Sequence, residues 1–190
     1  MSDWSQLPAG LPVPEDDGAA DHLAGLRLPS VDLVSTSGGT VDLAVGTGSV
    51  VVYAFPRTGV PGESPLVDEW DSIPGARGCT PESCGFRDHH AELGALGVGV
   101  FGLSTQDTAY QQEAADRLHL PFALLSDEAL ALTRAAALPT MVVAGQTLVR
   151  RLTMLVTDGV VEHVWYPVFP PDTHAEEVLG WLRTSRPALA

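Results

Sequence analysis

Two cysteines, Cys79 and Cys84, are the residues of this 190-residue chain whose type and spacing carry the clearest chemistry. Cys79 follows a glycine-rich loop and directly precedes the helical run TPESCGFRDHHAELGALG, so it falls in a first helical turn. There, free backbone N–H groups and the positive end of the helix dipole favour an anion. Such a position lowers a thiol's pKa and supplies thiolate, the nucleophilic form, near neutral pH. The plainer reading is a small buried apolar residue, which many cysteines are; the place at a helix start after a Gly-rich loop favours chemistry. Five helical steps put Cys84 about 140° around the axis and about 7.5 Å along it, beyond the roughly 7 Å Cα separation that a disulfide tolerates. A bond between them would require the first turn or two to unwind, which would couple redox state to local unfolding. Cys84 as a packed helix residue stands beside that reading.

The elements that must position this pair follow from pattern. SVVVYAF (49–55) is a β-branched and aromatic run bounded by Gly48 and Pro56, as expected of a central strand buried on both faces. Before it, VDLVSTSGGTVDLA reads as a hairpin around Gly38 and Gly39. After Cys79 the order is helix, strand VGVFGLS, amphipathic helix DTAYQQEAADRLH, strand PFALLSD, and a short helix. RRLTMLVT and VVEHVWYPV flank Asp158-Gly159, a strong two-residue turn, and DTHAEEVLGWLRTS closes as a helix capped by Asp172 or Thr173. The sum is an α/β fold, a central mixed β-sheet with helices on both faces. Residues 1–24, rich in proline and acid, form a tail or an arm, and 25–190 form the domain.

Composition narrows the functional classes. Ten basic residues, all arginine, against 24 acidic ones give a net charge of −14, the wrong sign for nucleic acid. No apolar run approaches the roughly 20 residues of a membrane span, and the start lacks a secretory signal, so a cytoplasmic protein is expected. Gly97–Gly102 spells GxGxxG within a strand instead of opening a helix, so it lacks the phosphate-cradling geometry. His89 and His90 diverge on a helix, the other four histidines are scattered, and none has zinc-ligand spacing; surface positions are expected.

GCTPESCGFRDHHAEL (78–93), followed by GVGVFGLSTQD, LPFALLSDE and RRLTMLVTDGVVEHV, resembles a peroxiredoxin, nearest the bacterioferritin comigratory protein or peroxiredoxin Q subfamily. The similarity spans about residues 25–185. It implies a thioredoxin-like fold and thiol-dependent reduction of hydrogen peroxide and organic hydroperoxides without metal, haem or flavin. It also implies Cys79 as peroxidatic cysteine, Cys84 as resolving cysteine in the same helix, and thioredoxin or a similar dithiol as reductant to a monomer or homodimer. RRLTMLVTDG matches the family's Arg-x-Ser/Thr-x-x-Ile/Val segment and places the active-site arginine on Arg151. Arg150 is the competitor; neighbours on a strand face opposite ways, so one of the two meets the thiolate. A fixed guanidinium suits the task, offering charge and a fork of N–H donors to the leaving oxygen. Arg87 and Asp88 fit the family's FRD and are read as helix packing and charge pairing.

The chain departs from the family's Pro-x-x-x-Thr-x-x-Cys. Ala76 stands three before Cys79 and Ser72 seven before. Pro56 occupies the family's proline place after the central strand, with residues 59–74 added as a loop expected to project outward. Thr58 or Thr80 would then supply the missing hydroxyl. Rival readings are a one-cysteine peroxidase reduced by a small thiol and a thioredoxin-fold redox sensor or binding protein without peroxidase activity.

Overall fold

A computed structural model describes Trp4 and residues 6–185; the remaining residues of the 1–24 arm, 1–3 and 5, and residues 186–190 lie outside the description. Seven strands form one mixed sheet in the order β2-β1-β5-β4-β3-β8-β9. β3 (Ser49–Ala54) is central, parallel to β4 (Val98–Ser104) and antiparallel to β8 (Leu152–Thr157). β5 (Leu124–Ser126) continues the parallel set, while β1 (Leu33–Ser35) with β2 (Thr40–Val41), and β9 (Val160–Trp165), close the two edges antiparallel. The expected α/β thioredoxin-like fold with its mixed sheet is therefore present.

Alternation along β3 explains the two cores. Val51 and Tyr53 face α1 (Cys79–Asp88), α2 (His90–Ala95), α3 (Thr108–Leu118) and α5 (His174–Ser185), through Phe86, Leu93, Ala114 and Val178. Val52 and Ala54 face the short α4 (Ala131–Ala135) and the segment carrying Leu23 and Leu28. Helices thus cover both faces, unevenly. Gly102, the last glycine of the GxGxxG string, lies where a Cβ would come within 2.4 Å of Leu124 and 2.9 Å of the Tyr53 ring. Its role is to let Tyr53 cross β4.

Three local expectations are corrected. Arg150 and Arg151 precede β8 instead of lying in it, in the link from a separate hairpin, β6 (Thr140–Val143) with β7 (Gln146–Val149). Residues 59–74 do not project outward. They fold back so that Trp70, 3% exposed, packs with Trp4, Ala76, Val143 and Leu148. The histidines are not all at the surface either: His174 is buried between Thr153 Oγ1, 2.9 Å away, and Glu177, because α5 starts against the sheet's centre.

Candidate active site

α1 begins at Cys79 because Gly78 ends the preceding loop at φ 109°, a left-handed conformation that favours glycine. A Cβ there would also lie 2.3 Å from Pro171 and 3.0 Å from Leu7, so the residue is doubly constrained. The helix is then held down from behind. Phe86 stacks on Tyr53 with ring centroids 4.5 Å apart, and the Tyr53 hydroxyl donates to Ser83 Oγ at 3.1 Å.

At the start of this helix the Cys79 thiol is buried and unbonded to Cys84. Arg151 Nη2 donates to its Sγ at 3.1 Å, the thiol donates to the Ala76 carbonyl at 3.6 Å, and the backbone N–H of Arg57 faces the sulfur and favours its anion. The same Nη2 reaches the carbonyls of Gly75, Ala76 and Arg77 at 3.2 to 3.5 Å, which fixes the guanidinium against the loop. Arg151 Nη1 binds Glu82, one helical turn beyond Cys79 and fully buried. Of the two candidate arginines, Arg151 therefore meets the sulfur. Arg150 points to the surface, bonded to Asp17 at 2.6 Å and the Tyr166 hydroxyl at 3.1 Å.

The lowering expected of a thiol at a helix start is not what the site delivers: the Cys79 thiol lies above its ordinary value, because burial outweighs the groups that favour the anion. Burial pushes the Cys79 thiol up, the Arg151 charge pulls it down, the Glu82 carboxylate pushes it up again, and the Arg57 N–H pulls it down. Burial also pushes Glu82 up to about 7 against the pull of Arg151. A thiolate at this sulfur depends on Arg151 more than on the dipole.

Cys84, half-buried, lies on another side of the same intact helix. Burial raises its thiol and Arg87 opposes this. Arg87 also binds Asp88 at 2.8 Å and the Leu118 carbonyl at 3.0 Å, so the packing and pairing expected of it come with a contact to the second sulfur.

Pro56 closes β3, its carbonyl accepting from Ser104 Oγ at 3.2 Å, and so delivers Arg57 to the sulfur. Thr58 is buried beside it, yet its hydroxyl donates to Gln106 Oε1 at 3.2 Å. The Thr80 hydroxyl, next to Cys79, is buried with no partner. Thr80→Val is accordingly expected to slow Cys79 oxidation by roughly tenfold, the worth of one hydrogen bond that the unpartnered hydroxyl would give to the reacting peroxide. Thr58→Val should instead cost stability by about 1 kcal/mol. Stopped-flow oxidation and chemical denaturation of both variants check this; the reverse pattern returns the role to Thr58. A cavity of about 410 Å³ lined by Val13, Pro14, Ile73, Gly75 and Met141 opens against Arg151.

Residues 23–179 match the Redoxin family model. The chain belongs to the Redoxin family. Its relatives are peroxiredoxins of the Q type. The chloroplastic peroxiredoxin Q of Populus jackii is 30% identical over 161 residues, 84% of this chain and 68% of that protein. The chain spans 66% of the length of the chloroplastic peroxiredoxin Q of Oryza sativa subsp. japonica, just under two thirds. Among solved structures, peroxidoxin BcpB of Mycobacterium tuberculosis superposes with a TM-score of 0.68 at 25% identity, covering 86% of this chain and 97% of that one. A peroxiredoxin Q of Xanthomonas campestris gives 0.63 at 26%, covering 85% and 98%. The resemblance of GCTPESCGFRD to the peroxiredoxin Q subfamily is thus borne out.

Within this Redoxin site, sequence reading missed Glu82, the Arg57 N–H and the cover that Leu7 supplies. A signal for Glu82 existed: it stands three residues after Cys79, on the same helix face. Among the described residues no group of three or more His, Cys, Asp or Glu is placed to hold a metal ion, and no helix is long and apolar enough to cross a membrane.

Proposed function

We propose that this protein is a thiol peroxidase, reducing hydrogen peroxide and organic hydroperoxides through Cys79. The observation that carries the reading is Arg151 Nη2 3.1 Å from Cys79 Sγ, with the Arg57 N–H on the same sulfur. A thiolate held this way attacks the distal oxygen, and the donors that steadied the thiolate are already placed for the negative charge passing to the leaving oxygen. Cys79 becomes a sulfenic acid, and water or an alcohol leaves. Cys84 then condenses with it after the start of α1 unwinds, and thioredoxin or a similar dithiol restores both thiols by exchange.

The working unit in this reading is a monomer or homodimer in the cytoplasm, where two unpaired cysteines are at home. Residues 25–190 act as one domain, with 1–24 as its arm and 59–74 as an inserted loop. Peroxide consumption with thioredoxin and its reductase tests the activity. Cys84→Ser is expected to consume one equivalent of peroxide and stop at the sulfenic acid unless a small thiol is added. Full thioredoxin-dependent turnover of that variant would instead favour a one-cysteine peroxidase, and no consumption by the unaltered protein would favour a redox sensor.

A further inference from the structure

A buried guanidinium balances one anion, and Arg151 has two acids on it. Glu82 sits on Nη1 and the Cys79 sulfur on Nη2, 3.1 Å away, all three side chains buried. With both acids ionised the cluster carries a net −1 in a medium that penalises unbalanced charge. With either one ionised it is neutral. The cluster is therefore built to keep one proton between the thiol and the carboxyl. Glu82 Oε1 is buried and has no hydrogen-bond partner, which leaves it free to carry that proton.

We propose that Glu82 is the proton donor to the leaving oxygen when Cys79 attacks a hydroperoxide, an inference that rests on the peroxidase reading above. Before attack, Cys79 is thiolate and Glu82 is protonated. A sulfur lone pair forms the S–O bond to the distal oxygen, and the O–O bond breaks with its electron pair going to the leaving oxygen. The Glu82 proton joins that oxygen, giving water or an alcohol. Cys79 has lost two electrons to the peroxide, and the new Glu82 carboxylate inherits the charge of Arg151. When a dithiol later returns Cys79 to the thiol, its proton passes back to Glu82. The cluster is neutral at the start and after each of these steps.

Burial holds Glu82 near the pH at which a donor is both loaded and willing to release, up to about 7. The other groups facing the cluster do not compete. Tyr53, from β3, is pushed well above its ordinary value by burial and stays neutral. His174, from α5, is lowered by burial and bonded to Thr153 and Glu177. Cys84, on the same helix, is raised by burial.

The test compares leaving groups. Hydrogen peroxide must expel hydroxide, which needs the proton; peracetic acid expels a carboxylate, which is stable near neutral pH without one. Glu82→Gln keeps the size and an acceptor for Arg151 but has no carboxyl proton. In a Cys84→Ser background, single-turnover stopped-flow should show Glu82→Gln slowing hydrogen peroxide by about a hundredfold, the lower end for loss of a general acid. The peracetic acid rate should change little. Thiolate absorbance in the ultraviolet should meanwhile show Cys79 ionising at lower pH, since its competitor for Arg151 has gone. Equal slowing with both peroxides overturns the proposal and leaves Glu82 as a support for Arg151; no slowing with either overturns it too. Should Glu82→Gln fail to fold, the unaltered protein decides. A solvent deuterium effect larger with hydrogen peroxide than with peracetic acid supports the proposal, and equal effects overturn it. Failure of the peroxidase reading itself looks different: neither peroxide oxidises Cys79 in the unaltered protein.

Discussion

Cys79→Ser is expected to abolish peroxide turnover, with no residual thioredoxin-dependent consumption above the uncatalysed background. A hydroxyl at this position is not ionised near neutral pH, so neither Arg151 nor the Arg57 N–H has an anion to hold. Cys84 does not stand in for it. Its thiol is raised by burial with Arg87 and Arg117 to oppose, and it lies about 140° around α1 from Cys79, which is the side that meets Arg151. The substitution removes little volume, so folding should survive, and circular dichroism with thermal unfolding verifies that. A thioredoxin-coupled assay reads the loss. Retained turnover would move the nucleophile to Cys84 and with it the whole assignment of the site.

Arg151→Ala should slow peroxide attack by about two orders of magnitude or more, as loss of a preorganised donor to developing charge typically does. The guanidinium leaves three jobs undone at once. Burial then raises Cys79 without its main opponent, the leaving oxygen has no charged donor, and the carbonyls of Gly75, Ala76 and Arg77 lose the group that gathers them. Glu82, without a partner, stays protonated at higher pH than before, since Arg151 is what holds it down. Arg150→Ala should do much less, because its partners Asp17 and Tyr166 are on the surface. Stopped-flow rates for the pair, with the fraction of thiolate read by absorbance, check the ranking. The opposite order would show that the link before β8 turns the other way in solution.

Much of the scaffold was legible because its signals are local. SVVVYAF lies at the sheet's centre with both faces covered, which is the condition for an unbroken apolar run. Asp107 caps α3 by accepting from Tyr110 N–H at 2.7 Å, as its place before that helix suggests. Asp158-Gly159 turns β8 into β9 with both residues at positive φ. The β6–β7 hairpin was hidden because its turn is Ala144-Gly145, and Ala144 adopts φ 49°, which alanine rarely does. The fold of residues 59–74 was hidden for a different reason: Trp70 is buried by Trp4, which lies 66 positions earlier in the chain, and by the unrecognised hairpin.

The site divides the same way. Cys79 and Arg151 were readable from motif, and the structure brings them together. The partition between Arg150 and Arg151 needed no strand alternation, since both precede β8. Glu82 could not be read as buried from one sequence. An acid in the first turn of a helix is ordinary, and only an arginine 69 residues later turns it into a closed ion pair.

The seat of Gly78 under Leu7 and Pro171 bears on how the enzyme is lost. In the proposed cycle, disulfide formation would have to lift the start of α1 out from beneath two segments distant in sequence, a cooperative opening instead of a frayed helix end. A sulfenic acid waiting for that opening is in a race with a second peroxide molecule, which would carry it to the irreversible sulfinic acid. On the proposed cycle, the tightness of this small apolar clasp would set the peroxide dose at which the protein is inactivated.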